Sequence, residues 1–203
     1  MRKYKPYIIL ISIILILIVS ISVLSAIWPK SEEQFFELGL LDSSKKTEKY
    51  FSSNSSTINL DTPTLWYIYL SNHMGTDQKV ILMIKLLNST DILPDDKLHT
   101  PSPLKTSYEI PISLSVNQTT DIPFLWSVSK VQNQGGKEYI KGLIINGDTV
   151  DVNVTSTDSH FRVLFELWVQ NKSGDEYFYG WNTGKESLSA SVYIWFVINS
   201  IPT

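Results

Sequence analysis

Cysteine is missing from all 203 residues. That removes disulfide scaffolds, thiolate zinc and iron–sulfur ligation, cysteine nucleophiles and a lipoprotein-type anchor together, because each needs the absent sulfur. An excess of positive charge is missing as well. With 17 basic residues against 20 acidic ones the net charge is −3, and nothing supplies the concentrated basic face with which proteins hold nucleic acid. Histidine is scarce, at His73, His99 and His160. There is no Gly-rich phosphate loop, no His-Glu-x-x-His and no Gly-x-Ser-x-Gly. Asp158, Ser159 and His160 are adjacent, and chain neighbours point in different directions, so they make no relay. His73, two residues before Gly75, reads as a turn residue or cap. Asp151 with Asn153, and Asp95 with Asp96, fall short of the 6–8 oxygens that calcium requires and read as solvated polar positions. The sequence predicts no enzyme, and assigns no catalytic residue, cofactor or metal.

Charge is also absent from residue 6 to residue 29, where residues 7–27 are almost wholly aliphatic. About 20 such residues at roughly 1.5 Å each span the hydrocarbon core as a helix. Isoleucine's weak helix propensity matters little there, because any other backbone arrangement leaves polar groups unsatisfied in lipid. Tyr4, Tyr7 and Trp28 stand at the ends, where amphipathic rings favour the headgroups. The sequence thus predicts a basic cytoplasmic tail over residues 1–6 and a transmembrane signal anchor over residues 7–28 that partners the lipid bilayer. Arg2, Lys3 and Lys5 precede the helix, and Lys30, Glu32 and Glu33 follow it. By the positive-inside rule, residues 31–203 lie outside the cytoplasm. A cleaved secretory signal, with residues 23–25 as its cleavage site, is the rival reading; the apolar run exceeds the usual length of a signal's hydrophobic region. Both readings export the remainder, which carries 14 basic against 20 acidic residues from residue 6 onward and would be repelled by an anionic membrane surface.

The exported part holds five Asn-x-Ser/Thr triplets without central proline, at Asn54, Asn88, Asn117, Asn153 and Asn171. Chance in so Asn-, Ser- and Thr-rich a segment gives roughly two. The expectation is a glycoprotein whose five acceptors lie in exposed turns or strand ends.

Beyond Trp28 the apolar residues come in short runs of Val, Ile, Phe, Tyr and Trp separated by turn-forming clusters, with no competing helical period. Candidate strands are 35–41, 65–71, 80–87, 108–116, 124–131, 139–145, 149–155, 161–170 and 191–198. Asn146-Gly147 is the signature of a two-residue type I′ hairpin, and Gly135-Gly136 reads as another turn. So many short strands close naturally as two packed antiparallel sheets, an all-β immunoglobulin-like β-sandwich. Residues 91–123, with Pro94, Pro101, Pro103, Pro111 and Pro123, read as an insertion or edge region, since proline cannot donate to a central ladder.

Phe161, Val163, Phe165, Leu167 and Val169 share one strand face, the expected core, and Arg162, Leu164, Glu166, Trp168 and Gln170 share the other. The last strand is apolar on both faces, so Trp168, Tyr193 and Trp195 need a cover. Either the proline-rich insertion folds over them or they form a binding platform. Tyr177-Phe-Tyr-Gly-Trp181 is the densest aromatic cluster. It reads as a hairpin feeding the core, or as rings that stack on sugars or anchor a partner. Trp168, Trp181, Tyr193 and Trp195 are the candidate platform residues.

Residues 35–41 (Phe-Phe-Glu-Leu-Gly-Leu-Leu), a polar turn, and Lys46-Thr-Glu-Lys-Tyr50 resemble the opening of a domain found in archaeal and some bacterial membrane proteins of unknown function. A strand running into Asn72-His73, a third strand over 80–87, Arg162-Val-Leu-Phe-Glu-Leu167 and the aromatic final Tyr193-Ile-Trp195 continue the likeness. The resemblance implies an immunoglobulin-like sandwich outside the membrane and no known activity. Its members often carry several transmembrane helices; this chain has one candidate. The function expected is binding or structural, as a cell-envelope component or accessory subunit with an envelope or membrane-protein partner. The alternative is a carbohydrate-binding module using Trp168, Trp181 and Trp195.

Overall fold

The computed structural model describes residues 33–51, 55–171, 173–174 and 176–199. The expected anchor over 7–28 and the acceptor Asn54 lie outside the described residues. Among the described residues no helix is long and apolar enough to cross a membrane.

The described residues from Gln34 to Asn199 form an all-β unit. Its first sheet runs in the order β1 (Phe36–Leu41), β3 (Thr64–Asn72), β6 (Thr119–Gln134), β7 (Lys137–Ile145), β8 (Asp148–Ser156). The second runs β2 (Thr57–Asn59), β13 (Ser191–Asn199), β9 (His160–Gln170), β4 (Gln78–Asn88), β5 (Tyr108–Leu114), with β10 (Tyr177–Tyr179) paired to the end of β9. β11 (Trp181–Asn182) and β12 (Ser187–Leu188) make a separate short ladder. All pairings are antiparallel except β2 with β13.

Alternation explains the layering. Trp66, Ile68 and Leu70 of β3 and Phe124, Trp126 and Val128 of β6 are buried from one side. Val80, Leu82, Ile84 and Leu86 of β4, with Phe161, Val163 and Phe165 of β9, are buried from the other. Rings bridge the two sheets: Phe124 meets Phe165 edge-on at 5.0 Å, and Trp126 meets Phe196 at 5.2 Å. The arrangement is that of a β-sandwich. The Trp66 indole donates to the Tyr50 carbonyl at 2.6 Å, whereas the equally buried Trp126 indole N–H has no partner among the described residues.

Asn146 and Gly147 both have positive φ (52° and 94°), as the type I′ hairpin between β7 and β8 requires. The β1–β2 connection is built on Asp42, whose carboxylate accepts from the Ser44 N–H and hydroxyl and from the Lys46 and Lys49 N–H groups at 2.7–3.0 Å. These donors hold its pKa far below the usual carboxylate range.

The proline-rich stretch divides into three. Residues 89–107 are a strap, β5 with Pro111 is an edge strand, and Pro123 lies inside β6 opposite Tyr67. Proline is tolerated there because β7 pairs with β6 only from Trp126 onward, leaving no ladder on one side at residue 123.

Candidate functional site

The outer face of β9 is the least ordinary part of the unit. An exposed sheet face should be polar, yet Arg162, Leu164 and Glu166 are buried there, because the strap lies across them. Lys85 on β4 and Glu166 on β9 form an ion pair of 2.8 Å whose side chains are 3% and 0% exposed. The strap closes onto both charges through one residue: the Ser102 N–H donates to Glu166 Oε1 at 2.7 Å, and Lys85 Nζ donates to the Ser102 carbonyl at 2.6 Å. The Trp168 indole N–H donates to Glu166 Oε2 at 3.1 Å. Burying two charges is costly unless each is paired and its remaining valences filled. Here a backbone amide, a carbonyl and an indole fill them.

Farther along the same face, the Arg162 guanidinium donates to the carbonyls of Asn88 and Ser89 at 2.9 and 3.0 Å. It lies 4.1 Å from the centre of the Trp195 ring and 5.7 Å from that of Tyr193, within reach of two cation–π contacts. Both rings remain partly open to solvent. Trp168 is half-buried against Tyr179, with ring centroids 6.1 Å apart, and Trp181 packs edge-on against Phe36 of β1 at 5.1 Å. The four candidate platform residues therefore divide. Tyr193 and Trp195 share a surface through Arg162, whereas Trp168 is tied to the buried pair and Trp181 belongs to one end of the sandwich.

At that end lies a groove of about 980 Å³. Its walls come from Gln34 before β1, the β3–β4 loop, the ends of β5 and β9, β10, and the β11–β12 ladder. Leu114 at the end of β5 and Val169 near the end of β9, both buried core residues, form the floor. Gly180 fixes the wall. Its φ is +83°, and a Cβ there would sit 2.2 Å from the Leu188 carbonyl oxygen, so only glycine lets the chain turn between β10 and β11. Tyr179 is buried beneath, and burial pushes its hydroxyl pKa up. Phe178, its neighbour, is 51% exposed on the rim.

No known protein family model and no curated protein matches the chain.

Histidine geometry was only partly legible. The Ser71 hydroxyl lies 2.9 Å from His73 Nε2, and Glu37 is 3.9 Å from the same nitrogen. A relay needs hydroxyl and carboxylate on opposite ring nitrogens; moreover Ser71 is fully buried and shares its hydroxyl with Thr119 at 2.8 Å. His73 also stacks on Phe35, a structural post at the head of β1. In the second cluster the Ser156 hydroxyl donates to Asp158 at 2.6 Å, not to His160, whose Nδ1 faces the Asp158 carbonyl oxygen. The Ser156 and Ser89 hydroxyls hold the Asp158 pKa down at about 2. Among the described residues no group of three His, Asp or Glu is placed to hold a metal ion.

The acceptor asparagines differ in their surroundings. Asn117 is exposed at a turn with φ 57°. Asn153 is exposed on edge strand β8, bonded to Lys141 Nζ. Asn171 accepts from the Gly174 N–H at 2.8 Å and lines the groove. Asn88 is structural: its amide nitrogen donates across to the Thr155 carbonyl at 2.9 Å, and its oxygen accepts from the Thr90 and Asp91 N–H groups.

Proposed function

We propose that this chain is a membrane-anchored, extracytoplasmic immunoglobulin-like protein that acts by binding, as an envelope component or accessory subunit of a membrane complex, with the end groove as its recognition surface. The strand order supports the fold. β1-β3-β6 in one sheet and β13-β9-β4-β5 in the other correspond to A-B-E and G-F-C-C′ of an immunoglobulin domain, with the β7–β8 hairpin as an extension. The archaeal and bacterial domain named above, by its resemblance, points the same way. One observation carries the functional reading: the groove is walled by the β3–β4 and β9–β13 connections, the counterparts of the B–C and F–G loops with which variable domains bind. The apolar run over 7–28 supplies the anchor, and its basic flank the orientation.

The experiment has two parts. Protease added to intact cells should remove the sandwich; protection would refute the export. Full-length tagged chain captured from detergent-solubilised membranes should bring a partner that Phe178→Asp loses and Trp195→Ser keeps. The reverse pattern would move the recognition surface to the Tyr193–Trp195 face.

A further inference from the structure

The chemistry around the groove narrows what can occupy it, taking the groove as the recognition surface. Phe178 stands in register with Val169, so its ring belongs to the inward side of the sheet, but at the groove rim it is left half open. Beside it the Trp181 indole N–H has no acceptor among the described residues. The polar rim is mostly amides and hydroxyls, among them Gln34, Ser113, Asn182 and Ser187. Charge is sparse. Asp77 accepts from the Val116 N–H at 3.0 Å, and among the described residues that line the groove Lys79 and His99 are the ones that can carry positive charge. A phosphate-bearing or strongly acidic ligand would require a cluster of cations, preferably arginine, and the described residues that line the groove contain none. A lipid tail would strip water from the amides and hydroxyls and return no hydrogen bonds. A sugar meets both halves of the lining: its C–H face lies flat on an aromatic ring while its hydroxyls, donors and acceptors alike, exchange with amides and hydroxyls. The volume lies in the upper part of the range for ligand pockets, room for more than one sugar ring.

We propose that the groove binds a neutral oligosaccharide, with Phe178 as the stacking ring and Gln34, Ser113 and Asn182 contacting ring hydroxyls. The test uses the full chain in a detergent without a sugar headgroup, titrated by calorimetry with neutral gluco-, xylo- and manno-oligosaccharides and with acidic ones as controls. One neutral series should bind. Phe178→Ala should weaken it at least tenfold, about 1.4 kcal/mol, without lowering the melting temperature, because half of that ring is already in water. Phe178→Trp should restore it, and Trp195→Ala, on the other face, should leave it unchanged. Absence of binding by every neutral series, equal binding by Phe178→Ala, or preference for the acidic sugars overturns the proposal. Should no sugar bind while a captured polypeptide is lost with Phe178→Asp, the sugar assignment falls and the groove reading stands; should capture ignore that change, both fall.

Discussion

Replacing Glu166 by leucine removes one of two charges that have no access to water. Lys85, with its side chain 3% exposed, would keep an ammonium whose one remaining partner is the Ser102 carbonyl. Breaking a buried pair in this way costs about 3–5 kcal/mol, a large share of a folding free energy of about 5–15 kcal/mol. Lys85→Met alone leaves the Glu166 carboxylate with the Ser102 N–H and the Trp168 indole, and should cost a similar amount. If the two losses were independent, the double variant would lose about 6–10 kcal/mol and fail to fold. The physical argument predicts otherwise. With both charges gone nothing is left desolvated without a partner, and well-packed apolar replacements of buried pairs are neutral or stabilising. The double variant should therefore unfold within about 2 kcal/mol of the parent, a coupling of several kcal/mol. The strap should pay for this locally, because without Glu166 the Ser102 N–H loses its acceptor, and hydrogen exchange at that amide should accelerate in both variants that lack the carboxylate. Urea unfolding of the solubilised chain gives the free energies. Additive losses, or single losses below about 1 kcal/mol, would refute the claim that this pair is sealed from solvent and holds the strap.

Gly180→Ala should cost about 1–3 kcal/mol and abolish ligand or partner retention at the groove, since its new Cβ meets the Leu188 oxygen at 2.2 Å; an unchanged urea midpoint with full retention contradicts this. Asn88→Ala should cost about 1–3 kcal/mol by stranding the Thr155 carbonyl and the Thr90 and Asp91 amides. Asn153→Gln, at an exposed position, should stay within about 0.5 kcal/mol, and equal melting of the two variants would count against the Asn88 assignment. Asp158, at about 2, and Asp42, lower still, both have folded pKa values below the unfolded one, so their ionised forms favour the fold above about pH 4 and that gain is lost as pH falls through about 2. Thermal melts of Asp158→Asn should accordingly fall less steeply between about pH 4 and 2 than those of the parent, and parallel curves would refute the assignment.

The long strands were legible because each carries its layer in its own alternation. Trp66-Tyr-Ile-Tyr-Leu70 declares which side is buried without reference to any partner strand. β2, β10, β11 and β12 were not, because two or three residues are too few to show a period; what makes them strands is the neighbour they reach. β6 runs from Thr119 to Gln134, well beyond the expected 124–131, because its polar ends pair with β3 and β7 and not with a core. Tyr177-Phe-Tyr-Gly-Trp181 was visible as a cluster, but its division was hidden. Tyr179 goes under and Phe178 stays out, a choice made by pairing with β9 and by the turn at Gly180.

The same distinction explains why the recognition surface was harder to read than the core. A strand face is written in consecutive residues, so Lys85 and Glu166 stand out as charges in apolar strands, although nothing in the sequence says that they meet. The groove draws Gln34, Lys79, Ser113, Phe178 and Asn182 from segments far apart along the chain, each unremarkable where it stands. Their chemistry becomes specific only when two sheets bring the β3–β4 and β9–β13 connections to one end. Trp195 drew attention with Trp168 and Tyr193 as an aromatic on an outer face, and there the structure spends one side of its ring on the Arg162 guanidinium. Phe178 drew less, and among the described residues it is the Phe, Tyr or Trp ring with the largest exposed fraction. Exposure of an aromatic beside groove-lining amides and hydroxyls is therefore the stronger guide to binding in this protein, and that combination arises from topology and not from local composition.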